Sequence, residues 1–291
     1  MPDGDQLHLH EDIALFREAV NFTASMTGFN PHLIEKDYFC TVLLDYLSSY
    51  GGEQLVFKGG TCLAKFHAGF YRLSEDLDFT IPLVIDASRT QRRHAIKDTK
   101  DAIIQLPDHL HTFNVIRSLT GANNSTQYIG TVGYESPSTG QPDSIMIEVS
   151  VREPLLMSAI KEQGKTVLLD PISGEKMLHD ITINCIAMAE AMAEKFRAAM
   201  SRREAAIRDF YDLDYAVTHL GLDPTDSNLI KMVREKLAVP GNSPVDVGPD
   251  RLATLNRQLK TRLKTVLRDK EFQTFDLDKA FGIVVAMAER L

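Results

Sequence analysis

The feature that most constrains the fold is a glycine pair, Gly59-Gly60, which separates a strand-like run from a helix-like run. The run QLVFK at 54–58 is strand-like, and Thr61 to His67 follows a helical pattern, so the sequence predicts a strand–loop–helix unit. In such a unit the backbone can approach a phosphate closely, and the first helical amides and the Thr61 hydroxyl can donate hydrogen bonds to it. A lone glycine pair more often makes only a tight turn.

Two carboxylates follow the glycines at a spacing suited to a strand. Asp76 and Asp78 are two residues apart on a strand predicted from Glu75 to about Ile85, so both side chains are expected on one face. Paired carboxylates can share divalent cations, but isolated Asp-x-Asp pairs usually cap turns or form salt bridges. The nearby glycine loop favours the cation site, because it places a phosphate-binding loop and a metal site on adjacent elements.

A third carboxylate lies on a later strand, predicted over residues 144–151. Ile147 and Val149 mark one face of that strand, and Met146 and Glu148 mark the other. If the strand is a neighbour of the Asp76/Asp78 strand, Glu148 becomes a third oxygen ligand. An all-oxygen site with bound waters and substrate phosphates suits Mg²⁺, or Mn²⁺. Two such ions about 3.5–4 Å apart can clamp the attacking and leaving oxygens of a phosphoryl displacement.

Composition sets the broad class of the chain. Its 291 residues are 44% hydrophobic and 25% charged, which favours a globular protein of two domains or one elaborated domain. The net charge of -8 argues against a protein that coats nucleic acid non-specifically. Three widely spaced cysteines, no signal-like start and no run of about 18 apolar residues predict a cytoplasmic protein that does not enter a membrane.

Further patterns predict the order of elements. A helix begins at Asn30-Pro31 and ends at Gly51, residues 88–105 are helical, and residues 121–143 form a hairpin or meander that contains a strand over 127–134. The period becomes helical from about residue 182. We therefore expect a change of domain near residues 155–180, and we place the boundary between residues 165 and 166.

Several motifs together resemble the signature of the AbiEii toxin family of nucleotidyltransferases, which occurs in type IV toxin–antitoxin and abortive-infection systems. The two main motifs are FKGGTCLAK at 57–65 and RLSEDLDF at 72–79. IEKD at 34–37, EAMAEK at 190–195 and RDFYDL at 208–213 follow the family order. The resemblance covers residues 34–214, and no single motif carries it alone.

The resemblance implies an α/β (α+β) fold. Residues 1–165 would form a nucleotidyltransferase-like mixed sheet flanked by helices, and residues 166–291 a mainly helical domain that closes the nucleotide cleft. It also implies transfer of a nucleoside monophosphate from a nucleoside triphosphate (NTP) to an acceptor hydroxyl, in some members at the 3′ end of tRNA, and a cognate winged-helix antitoxin. Two alternatives stay open: a protein or small-molecule acceptor, and a nucleotide-binding regulatory protein without turnover.

The expected site residues fall into three groups. The metal ligands are Asp76, Asp78 and Glu148. The nucleotide-binding residues are Lys58, Gly59, Gly60, Thr61, Arg72, Ser74, Lys195 and Arg202. The catalytic residues are Asp76, Asp78, Lys195 and Asp209.

Each supporting residue also has a structural alternative. Lys195 and Arg202 share a helix face, which in the alternative is only a solvated basic face. Arg72 can equally hold Asp76 in place. Asp209 is hypothesised to be a general base, whereas ion pairing, such as Arg208 with Asp212, is the rival.

Two charged residues, one serine and one basic helix have further expected roles. Lys36 and Asp37 are expected to brace the glycine loop. Phosphorylation of Ser74 is hypothesised to block nucleotide binding, because it would add negative charge beside the carboxylates. A basic amphipathic helix over residues 255–268 is expected either to contact RNA or to be merely solvated.

Overall fold

The structure, a computed structural model, describes the backbone of residues 6–291 and the side chains from residue 8 onward. Its seven strands are β1 Val56–Lys58, β2 Leu77–Thr80, β3 Phe113–Ala122, β4 Gln127–Glu135, β5 Pro142–Ser150, β6 Ile160–Gly164 and β7 Ile181–Cys185. Its α-helices are α1 Ile13–Thr27, α2 Pro31–Tyr50, α3 Gly59–Cys62, α4 Arg89–Ala95, α5 Lys97–His109, α6 Met188–Ser201, α7 Ile207–His219, α8 Ser227–Ala238, α9 Pro249–Gln258, α10 Asp269–Thr274 and α11 Leu277–Ala288.

All seven strands form one mixed sheet in the order β3-β4-β5-β2-β1-β7-β6. Strands β3, β4 and β5 are an antiparallel meander, and β5 then pairs in parallel with β2. Strand β1 runs antiparallel to β2 and parallel to β7. The short strands β1 and β2 therefore lie at the centre of the sheet, where both edges are paired.

The helix α2 has both of the boundaries that its sequence predicts. The Asn30 side chain accepts a hydrogen bond from the His32 amide, Pro31 occupies the first helical turn, and Gly51 follows the last residue. Most of the helix is buried, and Phe39 packs on Tyr134 with ring centroids 4.0 Å apart. Burial of one such aromatic ring stabilises the fold by roughly 1.5–3 kcal/mol. The fold thus anchors α2 within the core of the sheet unit.

The sequence predictions differ from the structure at three strands. The strand predicted from Glu75 to Ile85 is limited to Leu77–Thr80, because the chain leaves the sheet before Pro82, whose nitrogen cannot donate to a ladder. Strand β3 was missed, since most of its side chains are not buried and it lacks a clear apolar alternation. Residues 181–185 form β7 rather than a helix, because they pair with β1 and β6.

The contacts divide the chain into two compact units. The first contains the described residues up to Pro154 together with Ala159–Ile186, and the second contains Leu155–Ser158 and Ala187–Leu291. The change from sheet to helices therefore comes after Ile186, beyond the predicted 165/166 boundary, because β6 and β7 complete the sheet. We refer to these parts as the sheet unit and the helical unit.

The predicted basic amphipathic helix forms in the helical unit, with an irregular end. Helix α9 continues into a π-helical turn, Leu259–Leu263, and a 3-10 turn, Lys264–Val266. Leu255 and Leu263 are fully buried, whereas Arg257 and Lys260 are exposed. The amphipathic character predicted for residues 255–268 is confirmed.

Candidate active site

A row of charged side chains crosses the centre of the sheet. Lys58 on β1 lies opposite Asp78 on β2, and Asp78 lies opposite Glu148 on β5. Residues opposite each other in a ladder project from the same face, so these three side chains emerge together. This confirms that the strand bearing Glu148 is a neighbour of the strand bearing Asp78.

The opposite face of the same strands explains why the charges point in one direction. Phe57, Phe79 and Val149 occupy the adjacent row and are all fully buried. Because successive strand residues alternate between faces, burial of this apolar row fixes the charged row on the other face. Lys58, Asp78 and Glu148 on that face are only half-buried.

Gly59 follows Lys58 directly and brings the backbone against Asp78. Its φ is +78°, and a Cβ placed on it would lie 2.2 Å from Oδ2 of Asp78. Neither the backbone angle nor the space accommodates a side chain. Gly59 is therefore required for the close approach between the start of the helical segment 59–67 and the carboxylate.

Thr61 joins the glycine loop to the acidic segment. Its hydroxyl donates a 2.6 Å hydrogen bond to the backbone oxygen of Asp76, which precedes β2 rather than lying within it. The one hydroxyl proton is therefore used inside the protein, in contrast to the expectation that it binds phosphate. The donors that remain available for a phosphate at this loop are backbone amides of the helix start.

Arg72 and Ser74 occupy the segment that leads into β2. Arg72 is buried, and its guanidinium packs so closely on the loop that a Cβ on Gly60 would lie 2.5 Å from Nη2. Its Nη1 also donates to the backbone oxygen of Leu73 at 3.2 Å. Arg72 thus supports the loop from within the fold, while Ser74 is half-buried in an irregular stretch and not on a strand.

A buried ion pair braces the helical segment after the glycines. Lys65 Nζ lies 2.7 Å from Oδ1 of Asp37 and also donates to Thr41 Oγ1 and to the Lys165 backbone oxygen. Asp37 in turn accepts from the Val167 amide. Asp37 therefore supports the helical segment that follows the glycine loop, and sequence reasoning missed its partner Lys65. Its signal was a lone cation within the otherwise uncharged run TCLAKF.

Lys36 has a different partner from Asp37. Its Nζ donates to Oδ1 of Asp143 at 3.0 Å. Asp143 also accepts from the Tyr134 hydroxyl. Lys36 therefore ties α2 to the meander rather than to the glycine loop.

The helical unit contains a second charged cluster, centred on Lys195 of α6. Its ammonium lies 2.8 Å from Oδ1 of Asp209 and 2.7 Å from Oδ2 of Asp212, both buried on α7. Arg202 adds a weaker contact to the other oxygen of Asp209, at 3.4 Å. Burial raises the pKa of Asp209, but the Lys195 and Arg202 cations outweigh it, and the net pKa is lowered.

This cluster bears on the roles expected for its members. Both oxygens of Asp209 are engaged by cations, and a carboxylate with a lowered pKa is a weaker base. The geometry favours a role in holding Lys195 and Arg202. The predicted Arg208–Asp212 pair is wrong, since within residues 6–291 the Arg208 side chain makes no ion pair and Asp212 binds Lys195.

The first acid of the EAMAEK motif, Glu190, has a structural role. Glu190 is fully buried, lies 2.7 Å from Lys236 Nζ and accepts hydrogen bonds from the amides of Leu156 and Met157. It therefore fixes the start of α6 against α8 and the short segment 155–158.

The carboxylates of the sheet unit suit a hard cation. Asp78 and Glu148 face each other on neighbouring strands, and Asp76 lies one residue before β2. Mg²⁺ is commonly bound by one or two carboxylates together with substrate phosphates, so a complete protein cage is not required. In the part of the chain that the structure describes, no group of three or more His, Cys, Asp or Glu side chains is arranged to hold a metal by itself.

Comparison with known proteins places this arrangement in a family. The family described as "Nucleotidyl transferase AbiEii toxin, Type IV TA system" matches residues 42–282. The chain belongs to the AbiEii family. As a family member it is a nucleotidyltransferase of the type IV toxin–antitoxin class. Membership of this family implies an NTP substrate and an antitoxin partner. No curated protein sequence matches this AbiEii-family chain.

Solved structures share the fold of this AbiEii-family chain. JHP933 from Helicobacter pylori has a TM-score of 0.53 and 16% identity, with 90% of this chain and 92% of that chain covered. A second H. pylori protein, titled as a candidate nucleotidyltransferase, has a TM-score of 0.52 and 15% identity, with 90% and 95% covered. At such identities the likeness shows the fold alone, and the expected nucleotidyltransferase-like mixed sheet is confirmed.

Among the described helices, none is long and apolar enough to cross a membrane.

Proposed function

We propose that this chain transfers a nucleoside monophosphate from an NTP to a hydroxyl of RNA, at the 3′ end of tRNA, and releases pyrophosphate. The observation that carries the proposal is the apposition of Gly59 and the register pair Asp78 and Glu148. It combines a backbone that reaches a phosphate with two carboxylates on one sheet face.

Backbone amides and basic side chains of the site are proposed to bind the phosphates of the NTP. Amides at the start of segment 59–67 bind a phosphate, and Lys58 supplies positive charge beside Asp78. Arg72 adds positive charge from behind the loop, where it also fixes the position of Gly60. Lys195 and Arg202 bind the triphosphate, an assignment supported by the family motif at 190–195 rather than by a contact.

The carboxylates of Asp76, Asp78 and Glu148 are proposed to hold Mg²⁺ or Mn²⁺. Such an ion would neutralise charge on the phosphates during the displacement. The acceptor oxygen attacks the α-phosphorus, the bond to the pyrophosphate oxygen breaks, and the hydroxyl proton passes to a carboxylate of the site. Catalysis is then mainly orientation and charge neutralisation.

The test is transfer of each of the four labelled NTPs to total RNA, with wild type compared with Asp76→Ala. We expect one or more nucleotides to be added to tRNA-sized RNA by the wild type and not by the variant. Parallel incubations with cell protein and with small hydroxyl compounds identify another acceptor. Label on protein or small molecules, with RNA unlabelled, would replace the RNA acceptor in this proposal.

The antitoxin is proposed to be a winged-helix protein. Support comes from the toxin–antitoxin family match, which implies an antitoxin partner but not its fold. Co-purification of the chain with the product of a neighbouring gene, followed by determination of that product's fold, tests this assignment.

A further inference from the structure

The helical unit contains a cavity of about 550 Å³ whose wall is rich in arginine. Five arginines line it: Arg202, Arg203, Arg208, Arg251 and Arg262. The volume is within the range of about 300–1,000 Å³ typical of ligand sites. We call it the arginine cavity.

Two side chains build the wall of the arginine cavity. Arg251 donates from Nε to the Ala199 oxygen at 2.9 Å and from Nη2 to the Arg202 oxygen at 3.1 Å. Gln258 accepts from the Ile207 amide and donates to the Ala205 oxygen. Together they fix the segment between α6 and α7 against α9, so the cavity is a formed feature of the fold.

Three of the lining arginines are available to bind a ligand. Within residues 6–291, the side chains of Arg203, Arg208 and Arg262 make neither an ion pair nor a hydrogen bond. By contrast, Arg202 pairs with Asp209. Arg251 donates hydrogen bonds to two backbone oxygens and lies 3.6 Å from Asp246. Like charges that line one cavity without partners repel one another, and a bound anion relieves that repulsion.

Three acids also line the arginine cavity: Glu204, Asp246 and Asp250. Asp246 pairs with Arg251. Asp250 lies in the first turn of α9, where the helix dipole stabilises a carboxylate. Five guanidinium groups against three carboxylates leave the wall positively charged in a chain whose net charge is -8. The charge at this wall is therefore opposite to that of the whole molecule.

The composition of the wall indicates the chemistry of its ligand. All the cations are arginines, whose planar guanidinium groups bind phosphate oxygens in pairs. Arg203 and Arg262 are exposed, and the helical run that bears Arg262 also carries the exposed Arg257, Lys260 and Lys264. A chain of phosphates matches this extended set of cations better than a compact anion does.

We infer that the arginine cavity binds phosphodiester groups of the RNA acceptor. This inference rests on the proposed transfer to RNA and adds the surface that holds that RNA. Arg203, Arg208 and Arg262 contact phosphates, while Arg251 and Gln258 hold the segment that presents Arg203.

The experiment measures binding of a fluorescent tRNA by anisotropy at several salt concentrations, without NTP. The variant Arg203→Ala/Arg262→Ala removes two exposed cations and leaves the buried contacts intact. We expect tRNA affinity to fall roughly tenfold and the salt dependence to become shallower by about two phosphate contacts. The matched control is Arg89→Ala/Arg93→Ala, which removes two exposed arginines from α4 of the sheet unit and is expected to bind tRNA like wild type.

Binding of each labelled NTP by equilibrium dialysis distinguishes the two sources of phosphate. Unchanged NTP affinity with weakened tRNA binding supports the RNA site. Weakened NTP binding with unchanged tRNA binding would assign the arginine cavity to the triphosphate and overturn the inference. Equal tRNA affinity of the cavity variant and wild type would also overturn it.

Failure of the proposed function gives a different result. If wild type binds tRNA through the arginine cavity but adds no nucleotide to RNA, the transfer reaction is wrong while the binding site stands.

Discussion

Asp78 and Glu148 are direct partners on the parallel strands β2 and β5, with Lys58 completing the row on β1. Three strands that are distant in sequence therefore present one cation and two carboxylates on the same face. The core contacts of these strands are made by the buried apolar row on the opposite face, Phe57, Phe79 and Val149. The charged residues can therefore be changed without loss of core packing.

The first prediction concerns the two carboxylates. Asp78→Asn and Glu148→Gln are each expected to lower nucleotidyl transfer on the order of 100-fold, because each removes a charge that would stabilise the reacting phosphates. The amides keep the shape of the side chains, so thermal unfolding is expected to change little. Rates measured at rising Mg²⁺ concentration should show a higher requirement for the ion.

Glu75→Gln is the matched control for that charge loss, since Glu75 lies in the same segment but precedes the strand. It should retain most of the activity. Full activity in Glu148→Gln would remove Glu148 from the site.

The second prediction compares two glycines with similar backbone angles. Gly59 and Gly69 have φ of +78° and +67°, but only at Gly59 does an added Cβ meet another atom, Asp78 Oδ2 at 2.2 Å. Gly69→Ala should destabilise the fold by about 1–2 kcal/mol through backbone strain alone. Gly59→Ala should destabilise it further and abolish transfer, because the carboxylate must move.

Urea unfolding and a transfer assay on both variants check this comparison. Equal loss of activity in the two variants would show that strain, rather than the contact with Asp78, is responsible.

The third prediction concerns the Lys195 cluster. Lys195→Met leaves Asp209 and Asp212 buried beside a neutral side chain, which is expected to lower the free energy of unfolding by about 3–5 kcal/mol. Lys231→Met, which breaks an exposed pair with Glu235 at 3.9 Å, should change it by less than about 1 kcal/mol. Adding Asp209→Asn to Lys195→Met should restore part of the stability. A Lys195→Met protein as stable as wild type would contradict the role assigned to this cluster.

The fourth prediction is a dependence of stability on pH. In the folded state the pKa of Asp209 lies below its ordinary value of 3.8. The stabilising contribution of the ionised carboxylate is therefore present above pH 3.8 and is lost as the pH falls through the folded pKa. Wild type should therefore lose more stability than Asp209→Asn when the pH is lowered below about 4. Urea midpoints of both proteins between pH 3 and pH 7 measure the difference. Parallel curves over that range would show that Asp209 does not carry the acid sensitivity.

Local sequence features determined the elements whose ends depend on near neighbours. Asn30, Pro31 and Gly51 fixed the limits of α2, because capping hydrogen bonds and proline geometry act within one turn. The glycine pair likewise located the start of the helical segment at 59, and the alternation around Glu148 gave the correct face of β5. The family motifs supplied the class of activity.

Only the tertiary structure decided which distant residues meet. Short strands such as β1, β2 and β7 gain stability from their neighbours rather than from their own sequence, so the extent of β2 and the existence of β7 were mispredicted. Asp212 pairs with Lys195 instead of with Arg208, because α6 packs on α7 and brings Lys195 to Asp212. The arginine cavity exists because Arg251 and Gln258 bring α9 against the segment before α7, a contact that no local spacing encodes.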